Sequence, residues 1–154
     1  MRTIFMGSPI YAVPVLEALS SLNCRIVGVY TQPDKPRGRG RSPEPTAVKE
    51  LAQDQGLRVF QPASLRPPEV QRELAELEPD LIVVAAYGNI LPAGVLSIPS
   101  RGCVNIHPSL LPRYRGPSPV ATAILEGQER TGTTIMLMDQ GLDTGPILAS
   151  TAVP

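Results

Sequence analysis

Short apolar runs alternate along the chain with segments in which apolar residues recur at helical spacing. Short runs bounded by glycine, proline or polar clusters predict β-strands. Segments with apolar residues three or four positions apart predict helices that bury one face. Strands are predicted at 3–6, 25–30, 58–60, 81–86, 103–107, 133–138 and 147–152. Helices are predicted at 11–19, 46–55, 69–77 and 119–126, the last with Val120 and Ile124 facing inward.

The order of these elements indicates the fold class. Strands and helices alternate through most of the chain, which is typical of an α/β protein with a mostly parallel sheet. The run LIVVAA at 81–86 is almost continuously apolar, as expected of a central strand covered on both faces. We therefore predict a Rossmann-like domain with helices on both faces of the sheet and a site at the carboxyl ends of the central strands.

Composition and charge narrow the class of protein. Hydrophobic residues make up 42% and charged residues 18%, and 14 Lys plus Arg balance 14 Asp plus Glu. With a net charge of zero, the protein as a whole does not attract nucleic acid electrostatically, so any contact with nucleic acid must come from a local group of cations. Cys24 and Cys103 lie far apart without metal-ligand spacing, which predicts neither a zinc site nor a disulfide. No signal peptide or long apolar segment is evident, so we expect a cytoplasmic protein without membrane insertion.

The strand at 103–107 carries the candidate chemistry. Asn105 and the chain's single histidine, His107, alternate with apolar residues and should share one face, about 7 Å apart. An amide donor beside an imidazole can stabilise an oxygen that gains negative charge. Asp143, between glycines in GLDTG, is the third candidate. The alternatives are that the pair satisfies backbone groups and that Asp143 is an ordinary turn residue.

Two loops are further candidates for binding. The segment 31–45 contains glycines and prolines that predict an irregular loop, with four cations in seven residues: Lys35, Arg37, Arg39 and Arg41. They either form a solvated surface or neutralise phosphates. The turn Gly7-Ser8-Pro9 could present N–H groups to an anion, but it lacks the glycine spacing of a dinucleotide site.

Several motifs in order resemble the folate-dependent formyltransferase family. They are FMGSP, TQPDKPRGRG, AAYGNILP, NIHPSLLPRYRG and GLDTGPI, and the resemblance covers essentially all 154 residues. It implies the Rossmann-like formyltransferase fold and transfer of the formyl group of 10-formyltetrahydrofolate to an amine, without a metal. The expected acceptor and partner is initiator methionyl-tRNA. Asn105 and His107 would stabilise the oxyanion of a tetrahedral intermediate, and Asp143 would be their proton partner.

The resemblance also implies binding residues. The folate-binding set is Tyr87, Gly88, Asn89, Ile90, Leu91, Ser109, Leu110, Leu111, Pro112, Asp139, Gln140, Gly141 and Leu142. The Leu111-Pro112 bond is expected to be cis. The basic loop would contact the acceptor stem of the tRNA through Lys35, Arg37, Arg39 and Arg41, with Arg39 the leading position.

Other acceptors on the same scaffold are an amino sugar or glycinamide ribonucleotide, although Gly7-Ser8-Pro9 matches the phosphate-binding turn of the latter poorly. An inactive folate- or RNA-binding fragment is the remaining alternative. Family members that act on tRNA continue with a helix that packs on the sheet and a β-barrel domain. We therefore interpret 1–154 as a catalytic domain incomplete at its C-terminus. Without that helix and domain, we expect an exposed apolar strip where the helix would pack, weakened tRNA binding and self-association.

Overall fold

A seven-stranded sheet with helices on both faces organises the computed structural model, which describes residues 1–22, 24–37 and 42–154. The strands are β1 (Arg2–Gly7), β2 (Arg25–Tyr30), β3 (Lys35–Arg37), β4 (Ser42–Glu44), β5 (Val59–Phe60), β6 (Leu81–Ala85), β7 (Cys103–His107), β8 (Thr131–Leu137) and β9 (Ile147–Val153). The helices are α1 (Val13–Ser21), α2 (Ala47–Asp54), α3 (Pro68–Glu76), α4 (Ala93–Leu96) and α5 (Pro119–Leu125), and a 3-10 turn at Ile10–Ala12 precedes α1.

The order of strands in the large sheet is β5-β2-β1-β6-β7-β8-β9. The first five pair in parallel, whereas β8 and β9 pair antiparallel to their neighbours. The predicted α/β class, with a mostly parallel sheet and helices on both faces, is confirmed. β1 and β6 lie near the centre, and their buried runs explain why the sequence of β6 is almost entirely apolar.

Alternation along the central strands divides the core into two layers. Ile4 and Ile82 face one side, where α3 and α4 contribute Leu74 and Val95. The intervening strand residues, among them Phe5, Val29 and Val83, face the other side, where α1 and α2 contribute Leu16 and Val48. Successive side chains of a strand point to opposite faces, so each central strand contributes to both layers. This packing fixes the carboxyl ends of the strands that carry the site.

The connection from β8 to β9 folds back over β7. The N–H of Met138 donates to the carbonyl of Cys103 at 2.8 Å, and a side-chain contact joins Asn105 to Asp143. The loop needs a glycine at Gly145, because a Cβ there would overlap the carbonyl oxygen of Leu137. The tight return of the chain therefore positions residues 139–144 beside β7.

Two sequence-based expectations are wrong. The segment 31–45 is not entirely irregular, because β3 and β4 pair antiparallel within it. Pro36 lies opposite Pro43, so both prolines can occupy a ladder position that uses no N–H. The inward orientation predicted for Val120 and Ile124 also fails, since these side chains are 48% and 73% exposed while Ala123 is buried.

The remaining differences concern element ends and one short helix. The ends of the predicted elements lie within two residues of the observed ends, and both ends of β2 and β7 agree. The four-residue α4 was not predicted. None of the helices in the described ranges is long and apolar enough to span a membrane.

Candidate active site

Strand β7 brings the two polar candidates to one face of the sheet. Asn105 lies opposite Met136 of β8, and His107 lies opposite Thr134. Apolar Val104 and Ile106 point to the other face, where they pack against the layer under α1 and α2. His107 is only 4% exposed, so its ring is fixed by protein contacts.

Asp143 completes the group from the loop between β8 and β9. Its Oδ2 accepts the N–H of Gly116 at 2.8 Å, and its Oδ1 accepts the Nδ2–H of Asn105 at 3.3 Å. The Nδ1 atom of His107 lies 3.7 Å from Oδ2, which is within ion-pair distance but longer than a hydrogen bond. Asp143 has φ of 51°, a left-handed conformation that turns its carboxylate toward β7. The structure thus brings Asn105, His107 and Asp143 together.

The other ring nitrogen of His107 has its own partner. Nε2 lies 2.7 Å from the carbonyl oxygen of Tyr114. Because a carbonyl oxygen only accepts, Nε2 is the donor in this contact. The amide of Asn105 has a second N–H besides the one bonded to Asp143, and that donor is suited to a substrate oxygen.

The turn after β7 is fixed to β8. The hydroxyl of Thr134 donates to the carbonyl of Ser109 at 2.7 Å and accepts the N–H of Leu111 at 3.1 Å. The hydroxyl of Ser109 donates to the carbonyl of Arg113 at 2.6 Å. The Leu111-Pro112 bond is cis, as expected. Since Ser109 and Thr134 are fully buried, these bonds set the path of the chain toward Tyr114.

A cavity of about 160 Å³ is lined by residues 89–91 after β6, by Met136 of β8 and by residues 138–143 that follow β8. Its floor includes Leu91 and Met136, which are also core residues, and Asp143 lies at its wall. Met136 and Met138 also line the cavity. Of the predicted folate-binding set, the lining includes Asn89, Ile90, Leu91, Asp139, Gln140, Gly141 and Leu142.

The other predicted folate-binding residues lie elsewhere. Tyr87 is buried in the core, and its carbonyl accepts the hydroxyl of Ser8 at 2.9 Å. The turn after β7 contains four more of the set and lies outside the cavity lining: Ser109, Leu110, Leu111 and Pro112. Gly88 lines a second cavity of about 290 Å³, which shares Asn89 and Ile90 with the first. The lining of that second cavity is completed by Ser64, Leu65 and Arg66.

Sequence reasoning missed Ser64, Leu65 and Arg66, because the turn before α3 carries no motif with chemical meaning. It also missed Tyr114, whose contribution is a backbone carbonyl that any residue has. The only available signal was that Tyr114 falls inside PRYRG, one of the segments that resemble the family.

The loop that closes the first cavity is held by Asp139. Its Oδ1 accepts the hydroxyl of Thr144 at 2.7 Å and the N–H of Gly141 at 2.9 Å. These two hydrogen bonds, the hydroxyl first, hold the pKa of Asp139 below its usual range. The carboxylate therefore stays ionised under mildly acidic conditions and keeps the loop closed on itself.

The basic hairpin of β3 and β4 is anchored at its base. Asp34 accepts hydrogen bonds at 2.7 Å from Lys49 of α2 and from the amide of Gln61, and these contacts lower its pKa. Lys35 is exposed at the start of β3, and Arg37 is the last residue of that strand. Arg39 and Arg41, the other predicted tRNA contacts, lie outside the described residues.

The described residues contain no group of three or more His, Cys, Asp or Glu side chains that could hold a metal ion. The hydrogen-bond donors, imidazole and carboxylate at β7 are the chemical groups that the site presents.

Comparisons with known proteins identify relatives over the whole chain. The formyl transferase family model matches residues 1–154. A methionyl-tRNA formyltransferase of Marinobacter nauticus is 54% identical over 154 residues, which is 100% of this chain and 50% of the relative. A methionyl-tRNA formyltransferase of Chloroflexus aggregans is 58% identical over 153 residues, 99% of this chain and 50% of the relative. The chain thus spans about half the length of the curated relatives it matches.

Among solved structures, a phosphoribosylglycinamide formyltransferase from Bacillus halodurans superposes with a TM-score of 0.77 and 27% identity, covering 99% of this chain and 79% of that one.

Proposed function

Because this chain belongs to the formyl transferase family, we propose that it transfers the formyl group of 10-formyltetrahydrofolate to the α-amino group of methionine on initiator tRNA. The observation that carries the proposal is the convergence of Asn105, His107 and Asp143, the last of which also lines a cavity. Relatives more than half identical over the whole chain are methionyl-tRNA formyltransferases by name, which supports the choice of acceptor.

The three side chains suit an acyl transfer through a tetrahedral intermediate. When the amine adds to the formyl carbon, the formyl oxygen gains negative charge. The free N–H of Asn105 donates to that oxygen, and His107 adds positive charge beside it once it has taken up the proton of the attacking nitrogen. Asp143 stabilises the imidazolium from 3.7 Å and holds the amide of Asn105 in place. The proton released by the attacking nitrogen passes through this group to N10 of the folate.

The cavities fit a flat heterocycle with a tail. The first cavity is smaller than the roughly 300 Å³ at which pockets for drug-sized ligands begin, so it would hold one ring system of the folate. Its floor of Leu91 and Met136 would contact the ring faces, and residues 139–142 would supply polar groups at the ring edge. Ile90 is 80% exposed and lines both cavities, so the rest of the molecule would pass over it toward Arg66.

The tRNA would approach over the basic hairpin. Lys35 and Arg37 lie on β3, and Arg39 and Arg41 follow in the sequence. Cations in this number neutralise phosphates and make binding dependent on salt. With a net charge of zero over the whole chain, this local cluster would account for most of the attraction.

A formyl-transfer assay tests the proposal. This chain, and a chimera that adds the rest of the Marinobacter nauticus relative, would be supplied with 10-formyltetrahydrofolate and either methionyl-tRNA, an amino sugar or glycinamide ribonucleotide. We expect formylation of methionyl-tRNA above both small amines, and its loss in the chimera carrying Asn105→Ala. Preferential formylation of a small amine, or none of any acceptor by the chimera, would contradict the proposal.

A further inference from the structure

We infer that Tyr114 is a positioning residue for His107: its backbone carbonyl fixes the proton of the neutral imidazole on Nε2 and leaves Nδ1 to take up the proton of the reaction. The tautomer follows from geometry. The reaction step rests on the proposed function.

The tautomer follows from the two contacts of the ring. The 2.7 Å contact between Nε2 and the carbonyl of Tyr114 needs a hydrogen on Nε2, because the carbonyl has none. In a neutral imidazole only one nitrogen carries a hydrogen, so Nδ1 then presents its lone pair. Nδ1 lies 3.7 Å from Asp143 Oδ2, too far for a hydrogen bond but close enough for an ion pair. Proton uptake at Nδ1 would therefore complete a contact that the neutral ring lacks.

The side chain of Tyr114 holds its own carbonyl in place. Tyr114 has φ of 56°, an uncommon conformation for a residue with a large side chain. Its hydroxyl donates to Oε2 of Glu126, the residue after α5, at 2.5 Å. This bond to a carboxylate raises the pKa of the Tyr114 phenol, so the hydroxyl stays a donor. The contact links the turn that carries the carbonyl to the end of a helix.

The same segment also holds the partner of Nδ1. Two residues after Tyr114, the N–H of Gly116 donates to Oδ2 of Asp143 at 2.8 Å. Residues 114–116 therefore contact both the ring of His107 and the carboxylate that faces it. A shift of this segment would change the distance between Nδ1 and Oδ2 from both sides.

In the proposed reaction, the amine nitrogen forms a bond to the formyl carbon, and the electron pair of the C=O double bond moves to oxygen. The nitrogen then gives its surplus proton to the lone pair of Nδ1, and the resulting imidazolium pairs with Asp143. When the bond between the formyl carbon and N10 breaks, the oxyanion re-forms the double bond. The proton passes to N10, and the ring returns to its Nε2–H form.

The single histidine of the chain allows a direct test. Long-range proton–nitrogen NMR spectra of the ¹⁵N-labelled chain contain one imidazole, and they report which nitrogen is protonated. At a pH where the ring is neutral, we expect the proton on Nε2. A spectrum with the proton on Nδ1 would overturn the assignment. The spectrum needs no turnover, so a chain with an Nε2–H ring and no formyl transfer would count against the proposed function alone.

Variants test the role of the Tyr114 side chain. In Tyr114→Phe and Glu126→Ala we expect a mixture of tautomers and a kcat roughly tenfold lower, with KM for folate unchanged. Glu126→Gln should restore much of the loss, since its amide oxygen still accepts the hydroxyl. Glu129→Gln, an exposed acid three residues on, is the matched control.

Circular dichroism would establish that each variant folds. If Tyr114→Phe does not fold, Glu126→Ala provides the test, because it removes the same contact. A folded variant without the Tyr114–Glu126 contact that keeps the pure Nε2–H tautomer and the kcat of the unaltered chain would overturn the positioning role.

Discussion

His107 and Asp143 show how single residues at this site are defined by their neighbours. Each ring nitrogen of His107 faces a different oxygen, one a carbonyl and one a carboxylate. Asp143 in turn holds the amide of Asn105, so the three side chains form one connected group. Because backbone groups of Tyr114 and Gly116 complete it, the chemistry of the residues depends on the path of the chain around them.

The lowered pKa of Asp139 predicts how the stability of its loop depends on pH. The Thr144 hydroxyl and the Gly141 N–H lower its pKa, so the stability it gives to the loop is present above its unfolded pKa. That contribution is lost only as pH falls through the lowered, folded value. Thr144→Val removes the larger of the two causes and should raise the pKa of Asp139 toward the usual range of an aspartate.

The measurement is a carbon NMR titration of the Asp139 carboxyl group in the unaltered chain, in Thr144→Val and in the control Thr151→Val, an exposed threonine of β9. Equal midpoints in the unaltered chain and Thr144→Val would mean that the hydroxyl does not stabilise the carboxylate. A displaced midpoint in the control would mean that the effect is not local.

At the scale of elements, the basic hairpin depends on a clamp at its base. Asp34 joins the hairpin to α2 through Lys49 and to the end of β5 through Gln61. The side chain of Asp34 therefore limits how far β3 and β4 can move relative to the sheet. Lys35 and Arg37 belong to β3, so the proposed phosphate contacts and the anchoring contacts involve different residues.

Separate variants distinguish these two roles. Asp34→Ala should weaken binding of methionyl-tRNA while leaving the slope of log affinity against log salt unchanged, because no cation is lost. Lys35→Ala should weaken binding and reduce the salt slope by about 1. Fluorescence titrations over a range of salt would measure both. An Asp34→Ala chain with unaltered affinity would show that the clamp has no part in binding.

The elements also show which parts of the structure the sequence could predict. The bounds of β7 were predicted because strict alternation and Pro108 define that strand on their own. The buried face of α5 could not be predicted. Pro119 and Ala123 have the same spacing as Val120 and Ile124, so periodicity cannot choose between the two pairs. The pairing of β3 with β4 depends on Pro36 meeting Pro43, a register that no local pattern specifies. Similarly, the carbonyl of Tyr114 has no signature in residue type.

On the scale of the whole molecule, one end of the sheet is much less covered than the other. Every residue of β9 is exposed, and β9 contains no charged residue and forms the last strand of the sheet. Ile135 of β8 lies opposite Ala149 and is 37% exposed. An apolar strip beside an uncharged edge strand is a surface that favours pairing with another chain.

We therefore expect the 154-residue chain to self-associate at high concentration. Ala149→Lys places a charge on this strip and should shift the equilibrium toward monomer, whereas Gln53→Lys, an exposed position of α2, should not. Sedimentation velocity over a series of concentrations would measure the effect. A chain that remains monomeric throughout the series would refute the prediction.

If Asn105, His107 and Asp143 act as one catalytic group, the turnover of three alanine variants will show it. In the formyl-transfer assay, Asn105→Ala, His107→Ala and Asp143→Ala should each lower kcat by orders of magnitude, with Asn105→Ala losing on the order of 100 to 1,000-fold, as is typical of a removed oxyanion donor. Each should keep its circular dichroism spectrum, and Gln53→Ala should match the unaltered chain. Near-normal turnover in any one of the three folded variants would remove that residue from the mechanism and show that the three side chains do not act as one group.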